Sequence, residues 1–249
     1  MESTEFLSRP QKSISIVSWN INSVRSKLEK NNVLKILNDY DIVSLNEIKT
    51  SLQVSLPGYV AFCSRNSRAP GRGGTVVFVK EYLKSRVMEV DLGTPDQVWL
   101  TLSCALGVLF GFVYVPPRDS PYYSDAAFSH IQEKIKGNPD KDTVIIGDVN
   151  ARFGEYIQSL APFINSPDET ITYPDIPDKI PTPNQHASVL FGICCEENML
   201  LLNNLKYGES HFKGNLTCME IRSRSLLCSQ KSNQVYIKVS SYPRSGITI

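Results

Sequence analysis

Four short apolar runs each stop at a residue able to bind metal or phosphate. Ile14–Ser18 leads to Trp19-Asn20, and Ile42–Leu45 to Asn46-Glu47. Val108–Val113 leads to Tyr114, and Val144–Ile146 to Gly147-Asp148-Val149-Asn150. The residue types suit one job. Glu47 can act as a hard oxygen ligand for Mg²⁺, an ion that takes one or two carboxylates and keeps several waters. Asp148 can orient or deprotonate an attacking water. Asn20 and Asn150 donate and accept hydrogen bonds, so they can place a phosphate oxygen or a carboxylate without adding charge. Tyr114 offers a phenol near a leaving oxygen. The set points to metal-assisted hydrolysis of a phosphodiester, where positioning and charge stabilisation carry most of the rate. Singly, each residue has a plainer reading. An acid after a strand is commonly a loop residue or cap, Gly-Asp-x-Asn is a turn, and Trp19 is a core residue. Tyr114 before Val115-Pro116-Pro117 can simply end an edge strand. The joint order of the four runs is what favours chemistry.

Such residues need a frame that gathers strand ends from distant parts of the chain. The sequence predicts strands at Ser13–Trp19, Asp41–Leu45, Gly58–Cys63, Gly74–Lys80, Val98–Leu102, Val108–Val115, Thr143–Ile146 and Met199–Leu202. It predicts helices at Asn22–Asp39, Asp125–Lys136 and His186–Asn198. A proline-rich connection fills residues 162–184. Strands at both ends with helices between them indicate an α/β sandwich in one domain. The 249 residues, 41% apolar and 20% charged, suit a globular chain with a sizeable core. No apolar run approaches the roughly 18 residues of a membrane helix, so no membrane association is expected. Met1–Lys12 is polar and lacks the apolar core of an export signal; a loose leader and a nuclear or cytoplasmic, non-secreted protein are expected. The six cysteines contain no C-x-x-C pair, and buried thiols are the expected state.

Further motifs carry a family resemblance. Trp19-Asn20-Ile21-Asn22-Ser23-Val24-Arg25 and Asp41 to Lys49 (DIVSLNEIK) resemble the first two motifs of the endonuclease/exonuclease/phosphatase superfamily. Gly71-Arg72-Gly73-Gly74-Thr75-Val76 resembles its Gly-Gly strand start. Tyr114-Val115-Pro116-Pro117 and Gly147-Asp148-Val149-Asn150-Ala151 resemble its third and fourth motifs. Within the superfamily the chain is most similar to the endonuclease domain of non-LTR retrotransposons, through Pro57-Gly58-Tyr59, Arg65-Asn66, Gly192–Leu202 and His211–Thr217. The resemblance implies a four-layer α/β sandwich, two β-sheets flanked by helices. It implies a divalent metal, Mg²⁺ or Mn²⁺, with Glu47 as ligand and Asn20 beside it. Tyr114, Asp148 and Asn150 would be catalytic, and Arg25 and Arg72 would contact substrate. DNA is the implied partner, nicked to supply a 3′ hydroxyl, and no stable protein partner is expected. Two other readings stay open: a nucleic-acid-binding module without catalysis, and a phosphatase of inositol phosphates or lipid headgroups.

The end of the chain departs from this pattern. The 26 basic and 25 acidic residues nearly cancel, yet residues 205–249 hold 7 basic and 2 acidic ones. The family pattern has an Asp on a late strand and a Ser-Asp-His before the final strand. Here no Asp follows Asp178 and no His follows His211. The expected organisation is therefore a leader at 1–12, an endonuclease/exonuclease/phosphatase-like domain at 13–217 and a divergent basic tail at 218–249. The fold is expected to be incomplete at its C-terminus and the activity weak or absent. The abrupt break near Cys218 points to a truncated or frame-altered mobile-element product.

Overall fold

Along a strand successive side chains face opposite sides of the sheet, so the parity of each apolar residue assigns it to a layer. A computed structural model describes residues 13–24, 27–28, 31–50, 54–64, 73–105, 107–153, 171–172, 182–197 and 199–201. It also describes the strand segments at 206–207, 210–211, 216–219, 225–230 and 235–240. One sheet contains β1 (Ser13–Asn20), β2 (Ile42–Asn46), β3 (Tyr59–Cys63), β4 (Thr75–Lys80) and β15 (Val235–Ser240), in the order β15-β1-β2-β4-β3. The other contains β5 (Val87–Asp91), β6 (Gln97–Leu102), β7 (Val108–Tyr114), β8 (Asp142–Asp148), β10 (Leu200–Leu201) and β14 (Ser225–Gln230), in the order β10-β14-β8-β7-β6-β5, with β13 (Leu216–Met219) paired to β14. β9 (Ile171–Thr172), β11 (Lys206–Tyr207) and β12 (Ser210–His211) form a small separate sheet.

Both large sheets are mixed. β1 and β2 are parallel, as are β7, β8 and β14, while β4, β6 and β15 run antiparallel to their neighbours. Ile14, Ile16, Ile42, Val77 and Val79 of the first sheet pack against Val98, Leu100, Phe110, Phe112, Val144 and Ile146 of the second. Residues of opposite parity cover the outer faces. Val17, Val43, Leu45, Val76 and Phe78 pack under α1 (Asn31–Leu37) through Leu37. Trp99, Leu109, Val113 and Ile145 pack under α2 (Ala126–Lys136) and α3 (Gln185–Glu196), through Phe128, Ile131, Ala187, Leu190 and Ile193. The result is the four-layer α/β sandwich. Each fully buried Ile or Phe adds about 1.5–3 kcal/mol to hold it. Among the described residues, no helix is long and apolar enough to cross a membrane.

Three segments differ from the sequence-based expectation. Among the described residues, the helix predicted at Asn22–Asp39 is confined to α1. Before it, Ile21, Ser23 and Val24 donate their amides to the carbonyls of Asn46, Glu47 and Ile48, at 3.0, 2.8 and 3.1 Å. The chain thus continues the β1–β2 ladder in place of coiling. β5 was not foreseen; its middle residues Met88, Glu89 and Val90 are exposed, so it lacks the apolar run that marks a strand. The third difference is at the end of the chain. β14 lies parallel to β8, with Ser225 opposite Thr143 and Ser229 opposite Gly147. β15 lies antiparallel to β1, with Ser240 opposite Ser13 and Val235 opposite Ser18. β14 and β15 therefore cover edges of β8 and β1.

Candidate active site

The inner face of the sandwich turns polar toward one end. On β1 the inward series is Ile14, Ile16, Ser18, Asn20; on β2 it is Ile42, Ser44, Asn46. On β7 it is Val108, Phe110, Phe112, Tyr114, and on β8 it is Val144, Ile146, Asp148. On β4, which runs the other way, it is Val79, Val77, Thr75. Alternation alone thus carries the polar ends of five strands from two sheets to one place.

At that place one amide joins carboxylates from the two sheets. Asn20 Nδ2 donates to Glu47 Oε1 at 2.9 Å and to Asp148 Oδ2 at 2.8 Å, across 128 residues of sequence. Tyr114 donates its hydroxyl to the same Glu47 Oε1 at 2.8 Å, and Lys49 Nζ lies 2.8 Å from Oε2. Lys49 also donates to Asn22 Oδ1, and the Asn22 amide donates to Asn20 Oδ1 at 3.1 Å. On the other wall, the Asn150 amide donates to Asp148 Oδ1 at 3.0 Å, and Asn150 Nδ2 donates to the Val115 carbonyl at 2.9 Å. Asp148 is 4% exposed.

Burial raises the pKa of Glu47, but hydrogen bonds from Lys49, Asn20 and Tyr114 more than offset this and leave the carboxyl below its usual range. Tyr114 shifts the opposite way. Burial comes first, then the Glu47 carboxylate it serves, then the charges of Asp148 and Asp96; all push its phenol well above the ordinary value. Tyr114 is therefore a donor, not a base.

Beneath the site is a buried polar bridge. Ser18 Oγ donates to Asn46 Oδ1 at 3.3 Å, Asn46 Nδ2 to Thr75 Oγ1 at 3.0 Å, and Thr75 Oγ1 to the Asp96 carbonyl at 2.9 Å. Asp96 Oδ1 accepts from the Gly74 amide at 2.6 Å. Sequence reasoning passed over Ser18, Thr75 and Asp96, and gave Asn46 no role. Their signal was the inward parity of Ser18, Asn46 and Thr75, next to the strand ends already singled out.

The backbone is also unusual here. Among the described residues, the non-glycines with left-handed φ are Asn22, Ser23, Glu47, Lys49, Asp96 and Asn150, at 45°, 82°, 54°, 51°, 59° and 50°. All belong to the turns at this end. Strained turns cost free energy and persist only where surrounding structure holds them, as at functional sites. Gly147, with φ 152°, lets β8 pass close to β7: a Cβ there would lie 1.8 Å from the Val113 carbonyl oxygen.

The structure brings Asn20, Glu47, Tyr114, Asp148 and Asn150 together. Arg25 and Arg72, expected to contact substrate, lie outside the described residues. Among those residues no cluster of three or more His, Cys, Asp or Glu offers itself to a metal. Two carboxylates around one amide suit a hard cation that keeps most of its waters.

The chain matches a family described as the Endonuclease/Exonuclease/phosphatase family over residues 17–177. No curated protein matches it. A 3′ phosphatase from Neisseria bound to product DNA hairpin is 18% identical, over 76% of this chain and 73% of that one, with a TM-score of 0.52. An AP endonuclease from Leishmania major is 11% identical, over 94% and 90%, with a TM-score of 0.53. The endonuclease domain of TRAS1, a telomere-specific non-LTR retrotransposon, is 14% identical, over 77% and 75%, at 0.47. At these identities the first two likenesses show the fold, and the third score is too low to carry an argument.

Proposed function

Because the chain belongs to the endonuclease/exonuclease/phosphatase family, we propose that it is a retrotransposon-derived DNA endonuclease domain, dependent on Mg²⁺ and impaired in turnover. One observation carries the reading: Glu47 and Asp148, from different sheets, accept from the same Asn20 amide at 2.9 and 2.8 Å. Glu47, with Asn20 beside it, would hold Mg²⁺ or Mn²⁺, and that ion would stabilise charge on a phosphoryl oxygen. Asp148, fixed by the Asn20 side chain and the Asn150 amide, takes the proton of the attacking water. Tyr114, bonded to Glu47, assists near the scissile phosphate, and Asn150 orients the phosphate. The Neisseria enzyme with this fold is bound to a DNA hairpin, in keeping with DNA as substrate. A nuclear or cytoplasmic location accords with that substrate.

The impairment follows from what stands near the last strands. In the family pattern a Ser-Asp-His precedes the final strand. Directly before β15 this chain has Ser232-Asn233-Gln234. An asparagine cannot balance a positive imidazole, and a glutamine cannot give up a proton as an acid. Losing one group that stabilises transition-state charge costs about 10²–10³ in rate, and the missing late Asp adds to this without simple additivity. Backbone that completes both sheets beside these amides also favours a second reading, a domain that binds nucleic acid without turnover.

The chain can be incubated in Mg²⁺, in molar excess, with supercoiled plasmid and, separately, with soluble inositol phosphates. Slow nicking of plasmid, abolished by Glu47→Ala, is expected. Phosphate release from the soluble esters without nicking would overturn the DNA reading. Salt-sensitive DNA binding without nicking would select the binding module.

A further inference from the structure

α3 begins against the Asp148–Arg152 turn, and two of its first residues hold that turn in a way helix formation does not require. Asn184 caps the helix by accepting from the Ala187 amide at 3.0 Å. Its Oδ1 also accepts from the Arg152 amide at 3.0 Å, and its Nδ2 donates to the Asn150 carbonyl at 2.8 Å. Its own amide donates to the Arg152 carbonyl at 3.0 Å. Asp would cap as well but, ionised, cannot donate; the Asn184 amide accepts through its oxygen and donates through a separate nitrogen.

His186, the second residue of the helix, is 2% exposed. Its Nδ1 lies 2.9 Å from the Val149 carbonyl; because a carbonyl only accepts, Nδ1 carries the proton. The ring is stacked on Tyr123 at 4.9 Å and lies edge-on to Phe128 at 5.3 Å. Its Nε2 is buried with no hydrogen-bond partner among the described residues. A phenylalanine would fill this apolar slot without burying an unpartnered Nε2. The Val149 contact is what the imidazole adds.

We infer that Asn184 and His186 are positioning residues, a clamp on the Val149 and Asn150 carbonyls and the Arg152 amide that holds Asp148 in its working orientation. The clamp acts through Asn150. That residue has left-handed backbone, φ 50°, and its amide donates to Asp148 Oδ1 at 3.0 Å. Releasing the carbonyls at 149 and 150 frees the turn to relax and lose that bond. The inference rests on the proposed role of Asp148 and deepens it.

Amide hydrogen exchange of the whole chain tests the clamp without relying on turnover. Asn184→Asp keeps the cap but loses the donor to Asn150; His186→Phe keeps the packing but loses the donor to Val149. In both, exchange at Asn150 should quicken by about tenfold or more, the cost of one lost hydrogen bond, with Ile145 in β8 unchanged. His186→Asn places an amide NH₂ near the lost Nδ1 and should restore protection. Wild-type protection of Asn150 in both Asn184→Asp and His186→Phe would overturn the inference. So would loss of protection only in step with Ile145. Nicking by excess protein in Mg²⁺ should fall in the same variants; a wild type that does not nick would count against the nuclease reading and leave the exchange result standing.

Discussion

The turns after β1, β2, β7 and β8 and the strands β14 and β15 lie side by side but contribute different things. The first group supplies atoms: an amide between two carboxylates, a phenol, and a polar bridge below. The second supplies backbone: β14 ends level with the end of β8, and β15 starts beside the end of β1. A sheet edge asks of its partner only a β-compatible stretch, and Val235-Tyr236-Ile237-Lys238-Val239 is one. A catalytic position asks for one side chain. Drift can remove the second while the first survives.

Deleting residues 218–249 would break the comparison most severely. It removes β14 and β15 and exposes edges of β8 and β1. The shortened chain should aggregate or lose its cooperative melt, read by scattering and circular dichroism. A soluble, sharply melting product would mean the tail strands add nothing. Next in size is Gly147→Ala. Its methyl would meet the Val113 carbonyl at 1.8 Å and force β7 and β8 apart, for about 3 kcal/mol or more in a urea melt. Asn46→Ala is smaller. It leaves Thr75 and Ser18 short of a partner in a fully buried place and should cost about 1–3 kcal/mol.

The smallest effect sharpens the comparison through pH. Burial holds His186 below its ordinary 6.5, helped by the charge of Arg118; the Val149 carbonyl and Asp125 oppose this. A depressed folded value means the neutral imidazole contributes stability fully above 6.5. That contribution is lost as pH falls through the folded pKa, because the unfolded chain takes up the proton first. Thermal melts between about pH 7.5 and pH 5.5, either side of the usual imidazole value, should show wild type losing ground to His186→Asn on acidification. Equal slopes would show that His186 does not titrate differently on unfolding.

Much of the fold was legible because short continuous apolar runs such as Val108–Val113 and Val144–Ile146 mark strands buried on both faces. Asn20, Glu47, Tyr114, Asp148 and Asn150 were legible because strand ends in such folds gather function. Thr75 and Asp96 were not, because a buried polar residue's meaning lies in its partner, and partners 21 residues apart are set by sheet pairing. The tail strands were missed for another reason. Loss of the late acid and histidine was read as loss of the fold, although backbone pairing depends on neither. α1 was overextended because Leu28, Val33, Leu34, Ile36 and Leu37 give the stretch an apolar side, while the Glu47 turn draws Ser23 and Val24 into its own ladder.

We propose that Glu47, Asp148 and their partners form half of an active site, and that Ser232-Asn233-Gln234, where the family pattern has Ser-Asp-His, limits its turnover. Rates of supercoiled plasmid nicking in Mg²⁺, with substrate in excess, should be compared between wild type and Asn233→Asp/Gln234→His. The account predicts little or no repeated turnover by wild type and a gain of at least about tenfold in the double variant, below the 10²–10³ of a complete group because the late Asp stays absent. Repeated turnover by wild type, abolished by Glu47→Ala and not raised by the double substitution, would contradict it.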